Sequence, residues 1–349
     1  MQQGHIRTVH AVMMGSDISI KSRDADAETL KKALQLVHHY EKKLSANNSD
    51  SQLMKINQMA GKAPVSVSED LFELITIAKE ASLMPGSLFN FAIGPLVKLW
   101  KIGFSGHTIP NEKIIQETLL RCLPSEVLLD FSERTVYLQQ IGMEIDLGAI
   151  AKGYIADMVR AYLVSQSVNS ALIDLGGNIH SLSQCEPLLA YNESITELSH
   201  NQASLINPKC AKETQYVHSL NWSVGIKTPF CENNKFLGIL NIENESVVTT
   251  GIYERFFIKN NHHYHHVLNT LTGYPHDNDL VSVTVISKRS TEGEIWSTLL
   301  YGLGLEKGLE AVKNNSAIEA IFITRKNEVV ISDKMKVCFE LLDQHYTLL

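Results

Sequence analysis

The sequence predicts an α+β fold with mixed, largely antiparallel sheets and packed helices. Three observations carry this expectation. Strand-like apolar runs outnumber segments of helical periodicity, the pair 127–131 and 135–138 reads as a β-hairpin, and no internal repeat occurs. With 349 residues, 44% of them hydrophobic and 20% charged, the chain can bury a sizeable core. No Pro/Gly/Ser-rich linker or like-charge block marks a boundary, so one unit spanning 1–349 is expected.

Taken in order, Val12 to Ile20 reads as a strand interrupted by Gly15, and Asp26 caps a helix whose apolar positions are Leu30, Ala33, Leu34, Val37 and Leu44. The polar loop 45–51 leads into a short helix. Ser68, Glu69 and Asp70 open another that runs through Ser82 and is stopped by Met84-Pro-Gly-Ser87. The hairpin 127–138 turns at Ser132-Glu-Arg134. Ile145-Asp146 enters a helix from about Ala149 to Ser165, and Ala171 to Leu175 is a buried strand ending in Gly176-Gly177. Residues 184–219 are polar and aperiodic, as a surface insertion would be. Strands follow at 222–226, 238–242, 281–286, 320–324 and 329–331, with helices at about 292–303 and 306–313.

A formal net charge of -7 provides no basic face for a phosphate backbone, which excludes nucleic acid as the expected partner. Anionic ligands would need a local site, such as a metal or a helix N-terminus. The five cysteines include no CxxC pair, so neither a disulfide framework nor a zinc site is expected. No apolar run is long enough to span a bilayer and no leader pattern opens the chain, so a cytoplasmic location is expected.

Three segments could carry chemistry. Asp146-Leu-Gly-Ala-Ile-Ala-Lys-Gly153 combines an acid, small residues that let backbone come close, and Lys152 in the first helical turns, as a diphosphate site would. A turn that needs glycine for geometry alone reads the same way. Glu294 and Thr298, four apart on a helix, could offer two hard oxygens to Mg2+, or simply face solvent. Leu88-Phe89-Asn90 before Gly94-Pro95 could hold a planar heterocycle, or form a core turn.

Together and in this order, these segments resemble the ApbE family, which transfers FMN from FAD to a Thr or Ser hydroxyl of a flavoprotein. Met14-Gly15-Ser16 is similar to the family's Met-Gly-Thr strand, and Leu44 to Asn57 to "S-x-Y-x-x-D-S-E-[LI]-x-x-x-N". Ser87 to Trp100 resembles "G-A-F-D-P-T-V-G-P-L-V-x-L-W", and Asp146 to Asp157 resembles "D-L-G-G-I-A-K-G-Y-A-x-D". Ala171 to Gly177, Trp222 to Ile226, Thr249 to Arg255 and Tyr264 to Pro275 match further stretches, and Glu294 to Thr298 falls where the family has "D-A-L-x-T".

The resemblance implies an ApbE-like (T-fold-like) fold with FAD as substrate. FAD would be bordered by Met14, Asn47, Leu88, Phe89, Asn90, Asp146, Lys152 and Thr250. Mg2+, or Mn2+, would be held by the Ala149 carbonyl, Glu294 and Thr298. His266, matching "S-H-I", would be the general base, with Asp146 orienting the nucleotide. The partner would be a flavoprotein bearing the acceptor hydroxyl. FAD hydrolysis to FMN and AMP, and non-catalytic FAD carriage, are the alternative readings. Departures from the pattern are Glu294 for Asp, Asn90 for the Asp of "F-D-P-T", Asn47 for Tyr, and the loss of an acid and an Arg from "I-D-P-R-T-G" at 268–273.

Overall fold

The computed structural model describes residues 6–104, 106–183, 221–231 and 235–349. The expected insertion at 184–219 lies outside them. The segment expected as one strand at 12–20 is instead a hairpin, β1 (Arg7–Met13) paired antiparallel with β2 (Ser16–Ser22). Its turn is Met14-Gly15, with φ of 53° and 67°, so two successive left-handed residues reverse the chain where the sequence suggested only an interruption.

Asp26 caps α1 (Ala27–Leu44) by accepting the Thr29 N–H at 2.7 Å, and the buried stripe is Leu30, Ala33, Val37, Tyr40 and Leu44. Ser51 caps α2 (Gln52–Gln58) in the same way. After the two-residue β3 (Val65–Ser66), α3 (Glu69–Leu83) starts behind Ser68, whose hydroxyl donates to Gln52 Oε1 instead of capping the helix. Two short helices follow, α4 (Gly94–Trp100) and α5 (Glu112–Leu119), then the expected hairpin β4 (Val127–Asp130) and β5 (Thr135–Leu138).

The helix expected from Ala149 is α6 (Ala151–Ser165). Asp146 precedes it in a segment without strand pairing, since β5 stops at Leu138. The intervening segment is instead tied down from two sides. Asn57 exchanges hydrogen bonds with the Ile145 backbone (Nδ2 to the carbonyl at 3.0 Å, Oδ1 from the N–H at 2.8 Å), and the Asp146 N–H donates to the Phe91 carbonyl at 2.9 Å. The buried amide of Asn57 stands where a neighbouring strand would otherwise satisfy this backbone.

Next come β6 (Ser170–Leu175), β7 (Ile179–Ser183), β8 (Trp222–Lys227), β9 (Phe236–Ile242), β10 (Ser246–Gly251), β11 (Phe256–Lys259), β12 (His262–His265) and β13 (Leu280–Ser287). The two expected late helices are both present and adjoin as α7 (Ser290–Lys313), broken at Gly304, whose φ of 77° no ordinary helical residue adopts. The chain finishes with β14 (Ile318–Thr324), β15 (Glu328–Ile331), β16 (Phe339–Leu341) and β17 (Thr347–Leu348).

The main sheet has nine strands in the order β1-β2-β6-β7-β10-β13-β14-β15-β17, antiparallel except for β15 with β17. Helix α1 packs on its β1–β2 end and α7 on β10, β13 and β14, with α6 touching both helices. Every residue of β13 is buried. Leu280, Val283 and Val285 join one apolar cluster with Leu300 and Tyr301 of α7 and with Val224 and Leu240 of the small sheet β16-β9-β8. Another cluster gathers Leu96 and Trp100 of α4, Ile115 of α5 and Phe257 of β11. In it Trp100 donates Nε1–H to the Gly273 carbonyl at 2.7 Å and stacks with Tyr264 at 5.9 Å. No helix among the described residues is long and apolar enough to cross a membrane.

Candidate active site

The N-terminal half of α6 meets α7 at Gly153. A methyl group there would lie 2.7 Å from Glu294 Cγ and would also strike the Ser290 carbonyl, so the bare glycine lets the two helices touch and places Glu294 beside Lys152. Lys152 Nζ donates to Ser16 Oγ at 3.1 Å and to the Gly176 carbonyl at 3.5 Å. Burial lowers its pKa, against the opposing pull of Glu294. The β1–β2 turn, the Gly176-Gly177 turn and the two helices thus converge around one ammonium group.

Glu294 accepts from Asn178 Nδ2 at 2.8 Å, and burial raises its pKa to about 7. Its ionised form is therefore under-compensated by the protein alone. A divalent cation would restore that balance, and the donor types at Glu294, Thr298 and the Ala149 carbonyl are the hard oxygens Mg2+ prefers. Among the described residues no group of three or more His, Cys, Asp or Glu could hold a metal. This donor set therefore suits an ion that takes further oxygens from a phosphate substrate.

Asp146 Oδ1 accepts the Gly148 N–H at 2.7 Å, closing the turn ahead of α6. Burial raises its pKa, and Glu144 nearby adds to the effect. His266 is half-buried, and burial lowers its pKa to about 4. Its Nδ1 lies 3.2 Å from the Arg255 carbonyl, an obligate acceptor, so the proton sits on Nδ1 and Nε2 keeps its lone pair. A neutral imidazole with a free Nε2 can receive a proton.

Other expected site residues have structural partners in view. Met14 donates its backbone N–H to Glu41 Oε1 at 2.6 Å. Phe89 is buried, and Leu88 packs over Gly302 of α7. Asn90 bridges its loop: Nδ2 donates to the Cys122 carbonyl and Oδ1 accepts the Ala92 N–H, both at 2.8 Å. Thr250 Oγ1 donates to Ser297 Oγ at 2.9 Å, joining β10 to α7. Asn47 is exposed in the loop after α1, with its N–H on Ser45 Oγ and no hydrogen bond to the other site residues.

Sequence reasoning missed the groups that hold these parts together. Asp157 of α6 receives the N–H groups of Ser290 (2.8 Å) and Thr291 (3.0 Å), the Thr291 hydroxyl (2.6 Å) and His180 Nε2 (3.3 Å), so one helix caps the other. Burial alone would raise the pKa of Asp157, but His180 and Thr291 hold it below the usual value. Ser290 Oγ donates to Asn178 Oδ1 at 2.7 Å, and Asn178 in turn orients Glu294. The signal was faint, since Asp157 closes the motif that begins at Asp146, but nothing in the spacing shows a carboxylate 133 residues before its partner.

The chain matches the ApbE family model over residues 14–322. It is 43% identical over 346 residues to a FAD:protein FMN transferase of Klebsiella pneumoniae, covering 99% of this chain and 98% of that protein. It is 34% identical to the FAD:protein FMN transferase of Treponema pallidum, covering 91% and 83%. Among solved structures, the ApbE protein of Thermotoga maritima superposes with a TM-score of 0.77 at 24% identity over 96% of this chain and 99% of that one. The flavin transferase ApbE of Vibrio cholerae gives 0.75 at 21% over 96% and 100%. These two likenesses bear out the expected fold. The sequence matches go further: this chain belongs to the ApbE family.

Proposed function

We propose that the protein transfers FMN from FAD to a Thr or Ser hydroxyl of a flavoprotein, releasing AMP, with Mg2+ or Mn2+ as its ion. The observation that carries this reading is convergence. The Asp146–Lys152 turn, Glu294 and His266 come from distant stretches, yet Gly153 touches Glu294, and the charge of Arg255, whose carbonyl holds His266, reaches both Asp146 and Lys152. The family relationship to FAD:protein FMN transferases supports it.

In this reading the amides opening α6 and the Lys152 ammonium receive the diphosphate, while Asp146 orients the nucleotide. Glu294, Thr298 and the Ala149 carbonyl hold the divalent ion, which when bound neutralises phosphate charge. His266 Nε2 removes the proton of the acceptor hydroxyl as its oxygen forms a bond to the FMN-side phosphorus. The bond from that phosphorus to the bridging oxygen breaks, and AMP departs with the electron pair. A bound diphosphate raises the basicity of His266, because its negative charge favours the imidazolium. A cytoplasmic location, in keeping with the free thiols of Cys122, Cys231 and Cys338, belongs to the same reading and is checked by cell fractionation.

The test incubates the purified protein with FAD, Mg2+ and an acceptor domain carrying a Thr. Flavin fluorescence that survives denaturing electrophoresis supports transfer. AMP and FMN without labelling mean hydrolysis, and tight FAD binding with neither product means carriage. Glu294→Ala should abolish labelling, whereas Glu69→Ala, on the exposed side of α3 near Arg134, should not. Equal activity of both would overturn the Glu294 assignment.

A further inference from the structure

Arg255 closes the stretch Thr249 to Arg255, yet the reaction as described uses only its carbonyl. Its side chain is placed unusually firmly for an exposed arginine. A methyl group on Gly103 would lie 2.6 Å from Arg255 Cδ, 2.8 Å from Cβ and 2.9 Å from Cγ, so the stem lies flat on bare backbone. Gly103 has a φ of 81°, a conformation that other residues resist, so this bed is specific to glycine. Beyond the stem, the guanidinium carbon stands 5.7 Å from the centre of the Phe104 ring, which supports its face.

Pinned in this way, the guanidinium makes no ion pair among the described residues, although its charge lowers the pKa of the Asp146 carboxyl against the larger effect of burial. The Arg255 carbonyl lies 3.2 Å from His266 Nδ1, so the side chain starts beside the base, and its charge also bears on Asp146 and Lys152 of the diphosphate turn. The two site cations occupy different flanks. Lys152 is held by Ser16 and Gly176 beside Glu294, whereas Arg255 is joined through its own backbone to the His266 ring. A planar fork of N–H donors fits two oxygens of one phosphoryl group better than a single ammonium does.

We propose that Arg255 is a catalytic residue of the site, its guanidinium clamping the non-bridging oxygens of the phosphorus under attack. The proposal rests on the diphosphate reading above. It assigns the phosphoryl group nearest His266 to Arg255 and leaves Lys152 for the opposite flank. Charge accumulating on those oxygens as the acceptor oxygen approaches is stabilised by the fork, so the contact strengthens in the transition state.

The test compares Arg255→Met and Arg255→Lys with the wild type. Both keep the backbone carbonyl and therefore the His266 tautomer. Arg255→Met should lower kcat about 100-fold or more, as loss of one aimed donor does elsewhere, with a smaller rise in KM, and Arg255→Lys should recover part of the loss. The pH limb set by His266 should move to higher pH in Arg255→Met, because the guanidinium charge no longer lowers the imidazole pKa, and should hold in Arg255→Lys, while the melting temperature should hold in both. FAD binding, read by flavin fluorescence, should weaken at least tenfold in Arg255→Met, while riboflavin, which has no phosphate, should bind unchanged. Wild-type kcat and FAD affinity in Arg255→Met would overturn the proposal, as would equal losses of FAD and riboflavin. If the wild type itself neither labels an acceptor nor releases AMP, the transfer reading falls, and the FAD-against-riboflavin comparison still decides the clamp.

Discussion

Gly153→Ala puts the contact between α6 and α7 to the sharpest test. The new methyl group would sit 2.4 Å from the Ser290 carbonyl oxygen and 2.7 Å from Glu294 Cγ, and ordinary contact begins at 3.4 Å, so the helices must part by about 1.0 Å. Overpacking of this kind costs about 1–3 kcal/mol, but alanine is favoured over glycine inside a helix by about 1 kcal/mol. The net loss of stability should therefore stay below about 2 kcal/mol, read from urea unfolding. The site should suffer more. Metal–ligand distances tolerate only about 0.2 Å, so Mn2+ titrated calorimetrically in the presence of FAD should bind at least tenfold more weakly. Wild-type Mn2+ affinity in Gly153→Ala would refute both the contact and the placement of Glu294 at the ion.

Three further outcomes are expected. Asp157→Ala strips four donors of their buried acceptor and should cost about 3–5 kcal/mol in urea unfolding, whereas Asp157→Asn, which keeps one acceptor, should cost less. His276 is buried, and its pKa is lowered to about 4 against an unfolded value of 6.5. The unfolded chain therefore binds the extra proton first, and stability is full above pH 6.5 and lost as pH falls toward 4. At 1.36 kcal/mol per pH unit this amounts to about 3 kcal/mol, and His276→Gln should flatten that part of the stability–pH curve. Asn90→Asp restores the family's usual carboxylate but turns it against the Cys122 carbonyl, so the melting temperature should fall, by about 1–3 kcal/mol of stability. A more stable Asn90→Asp would show that the bridge to Cys122 is not what the asparagine provides.

How much of this was legible depended on the reach of each signal. Asp26 and Ser51 act on N–H groups three residues away, so their helices could be read from spacing. The strands at 281–286 and 320–324 showed as apolar runs because both lie deep in the core. Helix α5 was missed because only Ile115 and Thr118 are buried in it, too few to make a stripe. The hairpin β11–β12 hid in a histidine-rich run, although Asn260-Asn261, at φ of 50° and 59°, is the kind of pair that turns a hairpin. In the site, the Asp146–Lys152 turn was readable because it is local. Asp157 with Ser290, Asn178 with Glu294 and Gly103 under Arg255 are contacts between distant stretches, and composition and periodicity carry no trace of them.

The packing of Trp100 has an optical consequence. The chain has three tryptophans: Trp100 buried against the strand that leads to His266, Trp296 on α7 between Glu294 and Thr298, and Trp222 under Arg23, which lies 4.2 Å from its ring centre. An isoalloxazine absorbs where indole emits, so a flavin bound at the candidate site draws excitation from whichever indoles stand nearest. Replacing each tryptophan by phenylalanine in turn would divide that quenching among α4, α7 and β8, giving a ruler for the flavin ring that needs no added label.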